Sequence, residues 1–269
     1  MTVPIRVVVS GAAGRMGRAA VRAIAGDRTL TLVGALGRSR ALREDAGLVA
    51  GLSALDVVID DDLEALFERA RPAVLVEFAP GAGAVAHARA AIARSIRPVI
   101  GATGLASQDV QDLTGLCEAR RVGAVIAPNF ALGAVLMMQF ARAAARHFPH
   151  VEVIELHHDR KRDAPSGTAA KTAQMIADAR GDAPAPKVQE EETAAGARGG
   201  TVSGVRVHSV RLPGLVAHQE VIFGGPGQAL TIRHDSFTEE SFMPGLLLAI
   251  RRVMTLSGLV YGLEKLLEP

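Results

Sequence analysis

The sequence predicts an α/β protein, with a helix-covered parallel sheet in the first half. The second half is predicted to be α+β, around a mostly antiparallel or mixed sheet. Three observations carry this. Short apolar runs alternate with helical patterns as far as Phe130, which signals βαβ units and hence parallel strands. Beyond Phe130 the rhythm changes to strand-like runs separated by Gly and Pro turn signals. Finally, 49% of the residues are hydrophobic but only 3% aromatic. A core made of Val, Leu, Ile and Ala suits strands buried on both faces.

Taken in order, Ile5–Val9 reads as a strand, Arg15–Ala25 as a helix and Thr29–Ala35 as a second strand. Val74–Phe78, Pro98–Ile100 and Val122–Ala127 read as further buried strands, with helices over Gly83–Arg94 and Ser107–Arg121 between them. In the second half a helix is expected over Ala131–His147, a strand over Val151–Leu156 and a helix from near Thr168. Gly181–Gly204, rich in Gly, Ala, Pro and charge, reads as a long exposed loop. The runs Val205–Leu212, His218–Phe223 and Ala229–His234 are separated by Pro213-Gly214 and Gly224-Gly225-Pro226-Gly227, and are expected to form an antiparallel meander. A final helix near Glu239–Leu256 should close the chain and return to the first domain. With 269 residues, near twice the common domain size, two domains are expected. Their predicted spans are 1–130 with 239–269, and 131–238.

Composition excludes several function classes. Lys and Arg number 30 against 28 Asp and Glu, so no strong field draws nucleic acid, and few aromatics are present on which bases might stack. Cys117 is the only cysteine, which rules out an intramolecular disulfide and any cysteine-based metal site; it reads as inert packing. The first residues lead straight into a strand without a basic start, apolar signal core or cleavage site. No stretch nears the ~20 continuous apolar residues that span a bilayer. A soluble, cytoplasmic protein is expected.

Gly11-Ala12-Ala13-Gly14-Arg15-Met16-Gly17 follows a strand directly and opens a helix. Gly11 suits the tight turn, Gly14 allows close backbone approach to a pyrophosphate, and Gly17 lets helix and strand pack. A phosphate is then favoured at the helix start by N–H groups and the positive dipole end. This predicts a Rossmann-like dinucleotide-binding domain, although the spacing is G-x-x-G-x-x-G rather than G-x-G-x-x-G. At the end of the second strand stand Gly37-Arg38, where a carboxylate would hold the ribose diol of NADH. None being available in sequence, Arg38 is expected to pair with a 2′-phosphate, which favours NADPH with NADH as the alternative.

The segment from Glu155 to Thr168 joins two histidines, a lysine and a Ser-Gly-Thr helix start. A histidine donates protons near neutral pH, and a lysine offers a cation to a carboxylate or a second proton. The N–H groups of Gly167 and Thr168 can grip a carboxylate as the first half grips phosphate. Adjacent strand histidines point apart and lack a well-spaced third ligand, so no metal is expected. Ser166 is also expected to cap the helix.

His157-His158-Asp159-Arg160-Lys161-Arg162-Asp163-Ala164-Pro165-Ser166-Gly167-Thr168-Ala169 resembles the signature of 4-hydroxy-tetrahydrodipicolinate reductases. Val9–Arg18, Gly101–Gly104, Ala127-Pro128-Asn129-Phe130 and His208-Ser209-Val210-Arg211 are similar to that family's other motifs, in the same order along nearly the whole chain. The resemblance implies NAD(P)H-dependent reduction of a cyclic dicarboxylate in diaminopimelate and lysine biosynthesis, by a homotetramer. It implies His157 as proton donor and Lys161 as second acid or substrate anchor. His158, Ser166, Gly167 and Thr168 would bind substrate. Gly11, Ala12, Ala13, Gly14, Arg15 and Met16 would line the cofactor, with Gly101, Ala102, Thr103, Ala127, Pro128, Asn129 and Phe130 nearer the nicotinamide. Two departures stand out: Gly37 replaces a frequent acidic residue, and Ala79 stands where threonine is common. The alternatives are a non-catalytic NAD(P)H-binding sensor and a related amino-acid dehydrogenase.

Overall fold

Val7, Val8 and Val9 are wholly buried in the first strand, β1 (Ile5–Ser10), as a strand covered on both faces requires. The computed structural model describes residues 3–38, 41–102, 104–181 and 191–267. Within it the chain forms two compact units, Met1–Phe130 with Glu239–Pro269, and Ala131–Thr238.

In the first unit, β1 leads into α1 (Arg15–Ala25), β2 (Leu30–Leu36), α2 (Ala46–Val49), β3 (Ile59–Asp60) and α3 (Leu63–Ala70). There follow β4 (Val74–Glu77), α4 (Ala82–Ala93), β5 (Arg97–Ile100), α5 (Ser107–Arg120) and β6 (Ala124–Ile126). The second unit runs α6 (Leu132–Ala144), β7 (His150–His157), α7 (Gly167–Arg180), β8 (Gly200–Val202), β9 (Val205–Arg211), β10 (Ala217–Gly225) and β11 (Gln228–Ser236). The chain then returns to the first unit through α8 (Met243–Arg252) and β12 (Leu259–Tyr261).

The first sheet has the order β12-β6-β5-β4-β1-β2-β3, with every pairing parallel. The order reverses on either side of β1, so a crevice opens beyond the carboxyl ends of β1 and β4, where ligands of such sheets bind. Leu75, Val76, Val99, Ile100, Ala124 and Val125 are fully buried. Cys117 is also buried in α5, and burial pushes its thiol up to about 11, so it is a packing residue.

The second sheet is mixed, with the order β11-β10-β7-β9-β8. Its inner face carries Val151, Val153, Val207, Val221 and Phe223 against α6 and α7, while β11 is exposed along Gln228–Thr231. The expected meander is corrected here. β10 and β11 do form an antiparallel hairpin, but β7 lies between β10 and β9 and pairs with β9 in parallel. Residue alternation identifies a strand without naming its partner, and α7 makes β7–α7–β9 a crossover.

Other expectations also change. The stretch read as one loop ends in β8, antiparallel to β9. The final helix is shorter, flanked by 3-10 turns at Glu239–Phe242 and Val253–Thr255. It does not close the chain, since β12 pairs with β6 beyond it. Among the described residues no helix is long and apolar enough to cross a membrane.

Candidate active site

The glycine turn is built as backbone chemistry demands. Gly11 has φ +75°, in the region that only glycine enters freely. The N–H groups of Gly11 and Ala12 donate to Leu36 O at 2.9 and 3.1 Å, and Gly14 N–H donates to Gly11 O at 2.9 Å. These bonds tie the turn to β2 and to itself. The N–H groups of Arg15 and Met16 begin α1, where no earlier helical turn offers a carbonyl. A Cβ on Gly17 would overlap Gly11 O and stand 2.7 Å from Ala12 Cα. Its hydrogen is what lets α1 lie against the end of β1.

A cavity of about 410 Å³ opens at this turn, lined by Gly11, Ala13 and Gly14 on one side and Gly37, Arg38 and Asp61 on another. That volume is within the range of small-molecule sites. Ser10, Ala79 and His87 complete part of the wall. Asp61 corrects the expectation that no carboxylate was available beside Arg38. It follows β3, whose Asp60 pairs in register with Leu36; a two-residue strand leaves no periodic signal in sequence. Arg43 bridges Asp60 and Asp61 at 3.0 and 3.2 Å, and Arg69 meets Asp60 at 2.9 Å. The Arg69 hydrogen bond, with backbone N–H groups and Arg43, outweighs burial and holds Asp60 at about 2.

Beneath the cavity lies a buried carboxylate that sequence reading missed. Glu77, at the end of β4, has no exposure. It accepts from Ala79 N–H at 2.5 Å and meets His87 Nδ1 at 2.8 Å. Ser10 Oγ stands 3.3 Å from the same ring nitrogen.

The other expected cofactor residues lie on the same carboxyl edge of the sheet. Gly101 follows β5 and donates to Glu77 O, and Ala127 follows β6 and donates to Ile100 O, each at 2.9 Å. A Cβ on Gly101 would collide with the rings of Phe78 and Phe130, which meet edge-on with centroids 6.3 Å apart. Ala102 is buried and Asn129 half-buried, whereas Pro128 is exposed. Arg15 is exposed and bonded to Glu239 at 3.3 Å, Met16 is half-buried, and Ala12 is buried. Thr103 lies outside the described residues.

In the second unit, His157 ends β7, and its Nδ1 meets Glu155 Oε2 at 2.5 Å. Glu155 has no exposure. Burial alone would raise its pKa, but hydrogen bonds from His157, Arg211 and Ser209 hold it at about 2. The ionised carboxylate only accepts, so the ring proton between them belongs to Nδ1. His157 Nε2 is then the atom left for chemistry. Arg211 grips Glu155 with two bonds, Nη1 to Oε2 at 2.9 Å and Nη2 to Oε1 at 2.7 Å. Ser166 N–H donates to Oε1 at 3.1 Å.

Ser166 Oγ accepts from Ala169 N–H at 3.2 Å and so caps α7. Gly167 is exposed and Thr168 half-buried in the first turn of that helix, where N–H groups favour an anion. Lys161 Nζ is bonded to both carboxylate oxygens of Asp163 at 2.8 Å. His158 is half-buried, with a buried Nδ1 that has no partner. Arg160 and Arg162 are exposed. Among the described residues no group of three His, Cys, Asp or Glu side chains is placed to hold a metal.

Comparison with known proteins covers both units. The family description "Dihydrodipicolinate reductase, N-terminus" matches residues 5–130 and "Dihydrodipicolinate reductase, C-terminus" matches residues 133–267. The chain is 56% identical to the 4-hydroxy-tetrahydrodipicolinate reductase of Moorella thermoacetica, covering 100% of both chains. It is 51% identical to that of Synechocystis sp., covering 98% of both. A solved structure of dipicolinate-bound dihydrodipicolinate reductase from Paenisporosarcina sp. TG-14 superposes with a TM-score of 0.88. The two are 43% identical over 98% of this chain and 100% of that one. The two family matches between them span residues 5–130 and 133–267, and the chain belongs to the dihydrodipicolinate reductase family of NAD(P)H-dependent oxidoreductases.

Proposed function

We propose that the chain reduces 4-hydroxy-tetrahydrodipicolinate to tetrahydrodipicolinate in the diaminopimelate route to lysine, with His157 as the proton donor. The observation that carries this is the oriented imidazole. Glu155 fixes His157 at Oε2 through Nδ1, and the α7 start, suited to a carboxylate, is tied to the other oxygen of that carboxylate, Oε1, through Ser166 N–H.

A dinucleotide fits the first unit on structural grounds: a Cβ on Gly17 would overlap Gly11 O and one on Gly14 would crowd it at 3.1 Å, and the cavity continues to Arg38. Gly11–Met16 would hold its pyrophosphate, and Gly101–Thr103 with Ala127–Phe130 its nicotinamide end. Bound there, a nicotinamide dinucleotide supplies hydride. The protein's own residues do the remainder. Gly167 and Thr168, with Ser166 shaping the turn and His158 beside it, orient the substrate carboxylate. Lys161 stabilises negative charge as it develops along the conjugated system, exchanging its exposed partner Asp163 for substrate. His157 Nε2 delivers a proton to carbon.

Arg38 favours NADPH through its 2′-phosphate, while Asp61 in the same cavity supplies an acceptor for the NADH ribose; use of both follows, with NADPH preferred. The first unit is the dinucleotide-binding domain, and the second serves substrate binding and oligomerisation. The exposed strand β11 is an edge that needs covering, which supports a homotetramer, and the biosynthetic role supports a cytoplasmic location. The full-length match to reductases disfavours both a sensor and a related amino-acid dehydrogenase. Initial rates with NADPH and NADH on enzymatically generated substrate test the reading. Absence of turnover with both cofactors refutes it, and sedimentation velocity tests the tetramer.

A further inference from the structure

Glu155 occupies an inward position in β7, in step with Val151 and Val153, where an apolar residue would ordinarily sit. Burying a carboxylate costs several kcal/mol unless its oxygens are fully bonded. Here they are bonded by three separate segments. His157 comes from the end of β7, Arg211 from the end of β9, and Ser166 from the start of α7. Arg211 Nη2 also donates to Asp163 O at 2.7 Å. The turn between His157 and the helix is thereby held to the same centre. Stability alone does not require this arrangement, because apolar side chains of similar volume commonly replace a buried ion pair without loss. The carboxylate does something no apolar residue can: it selects which ring nitrogen of His157 carries the proton.

We propose that Glu155, clamped by Arg211, is the positioning residue for His157, keeping a proton on Nδ1 so that Nε2 faces the substrate. The inference rests on His157 being the proton donor. In the step itself the Nε2–H bond breaks as a C–H bond forms at the substrate carbon. The electron pair of the former N–H bond remains on Nε2. The ring is left neutral as the Nδ1–H form, bonded to Glu155, and regains its Nε2 proton from solvent. The arrangement also explains the His208-Ser209-Val210-Arg211 motif. In register on the strand beside β7, Ser209 faces Glu155 and Arg211 faces His157.

The test uses the full-length protein. In wild-type enzyme, ¹⁵N–¹H correlation of the imidazoles at a pH where His157 is neutral should show the proton on Nδ1, the resonance being assigned by its loss in His157→Gln. A proton on Nε2 overturns the proposal, and this measurement needs no Glu155 variant to fold. Glu155→Gln offers a side-chain amide to Nδ1 and favours the opposite tautomer. Its kcat/KM should fall about 10²-fold or more, with dinucleotide Kd unchanged. The alkaline limb of its kcat/KM profile should move to lower pH. An unmoved limb with wild-type kcat/KM in a folded variant also overturns it. If His157→Gln itself retains turnover, the proton-donor reading fails. If His157→Gln is inactive while the proton lies on Nε2, only the positioning role fails.

Discussion

Gly17→Ala sets two physical effects of opposite sign against each other. Within a helix, replacing Gly by Ala stabilises by about 1 kcal/mol through backbone propensity. At Gly17 the new methyl would overlap Gly11 O and stand 2.7 and 2.8 Å from Ala12 Cα and Gly11 C. All three are backbone atoms and none can rotate away, so α1 must lift from the end of β1. Overpacking costs about 1–3 kcal/mol, and with three immovable backbone atoms under 3.0 Å the upper part of that range, about 2–3 kcal/mol, applies and exceeds the propensity gain. A net loss of about 1–2 kcal/mol lowers Tm by roughly 2–8 °C. Lifting the helix also moves the N–H groups of Arg15 and Met16 from the phosphate position, so dinucleotide affinity should fall about tenfold. Gly115→Ala is the control, since it sits in α5 with nothing within 4 Å of the added Cβ. It should stabilise by about 0.5–1 kcal/mol and leave Kd alone. Differential scanning calorimetry and quenching of NADPH fluorescence measure both quantities. A Gly17→Ala protein with wild-type Tm and Kd would refute the packing argument.

Three further outcomes are expected. His157→Gln should lower kcat by about 10²–10⁴-fold with NADPH Kd unchanged in equilibrium titration. Arg38→Ala should raise KM for NADPH about tenfold, in line with loss of one charge-assisted bond, and leave KM for NADH nearly unchanged; equal effects on both would refute the 2′-phosphate role. Asp60 is held at about 2, below its ordinary 3.8, so the folded state binds its proton less readily than the unfolded chain. Its stabilisation is full above pH 3.8 and is lost as pH falls through about 2. Asp60→Asn should therefore unfold at lower denaturant than wild type at pH 7, with the difference shrinking between pH 4 and 2 in urea titrations.

Legibility in the sequence followed the strength of local signals. Arg15–Ala25 was readable to the residue because Gly14 precedes it, Gly26 ends it and its apolar positions recur at helical spacing. Val74–Val76 and Val99-Ile100 were readable because strands buried on both faces are continuous apolar runs. β3 escaped because two residues are too few for any period to register, and β12 because its three residues stand between Gly258 and Gly262, without the apolar flanks, Val122 and Ala127, that lengthen the run around β6. With β3 went Asp61, the carboxylate that lines the cavity with Arg38. The partner of β9 escaped for a different reason: alternation is the same beside β7 as beside β10. Glu155 left a usable trace, a charge at the third inward place of Val151-Glu152-Val153-Ile154-Glu155. Such a charge implies a bonded partner, but that partner, Arg211, is 56 residues away and only the register identifies it.

Among the described residues, the two buried glutamates show one arrangement repeated. Glu77 and Glu155 each lie near the carboxyl end of a strand without exposure. Each binds a histidine Nδ1, at 2.8 and 2.5 Å, and each accepts a backbone N–H from the loop or turn ahead, Ala79 at 2.5 Å and Ser166 at 3.1 Å. Both thus fix an imidazole against a loop that follows a strand. His87 lines a cavity, whereas His157, in the role proposed above, would give up a proton and take one back. A lone buried carboxylate would hold an imidazolium as a tight ion pair and resist that release. The Arg211 guanidinium shares both oxygens of Glu155, drawing off part of their charge while leaving their direction intact. On that proposal, orientation and proton release place opposite demands on one carboxylate, and the two bonds from Arg211 would reconcile them.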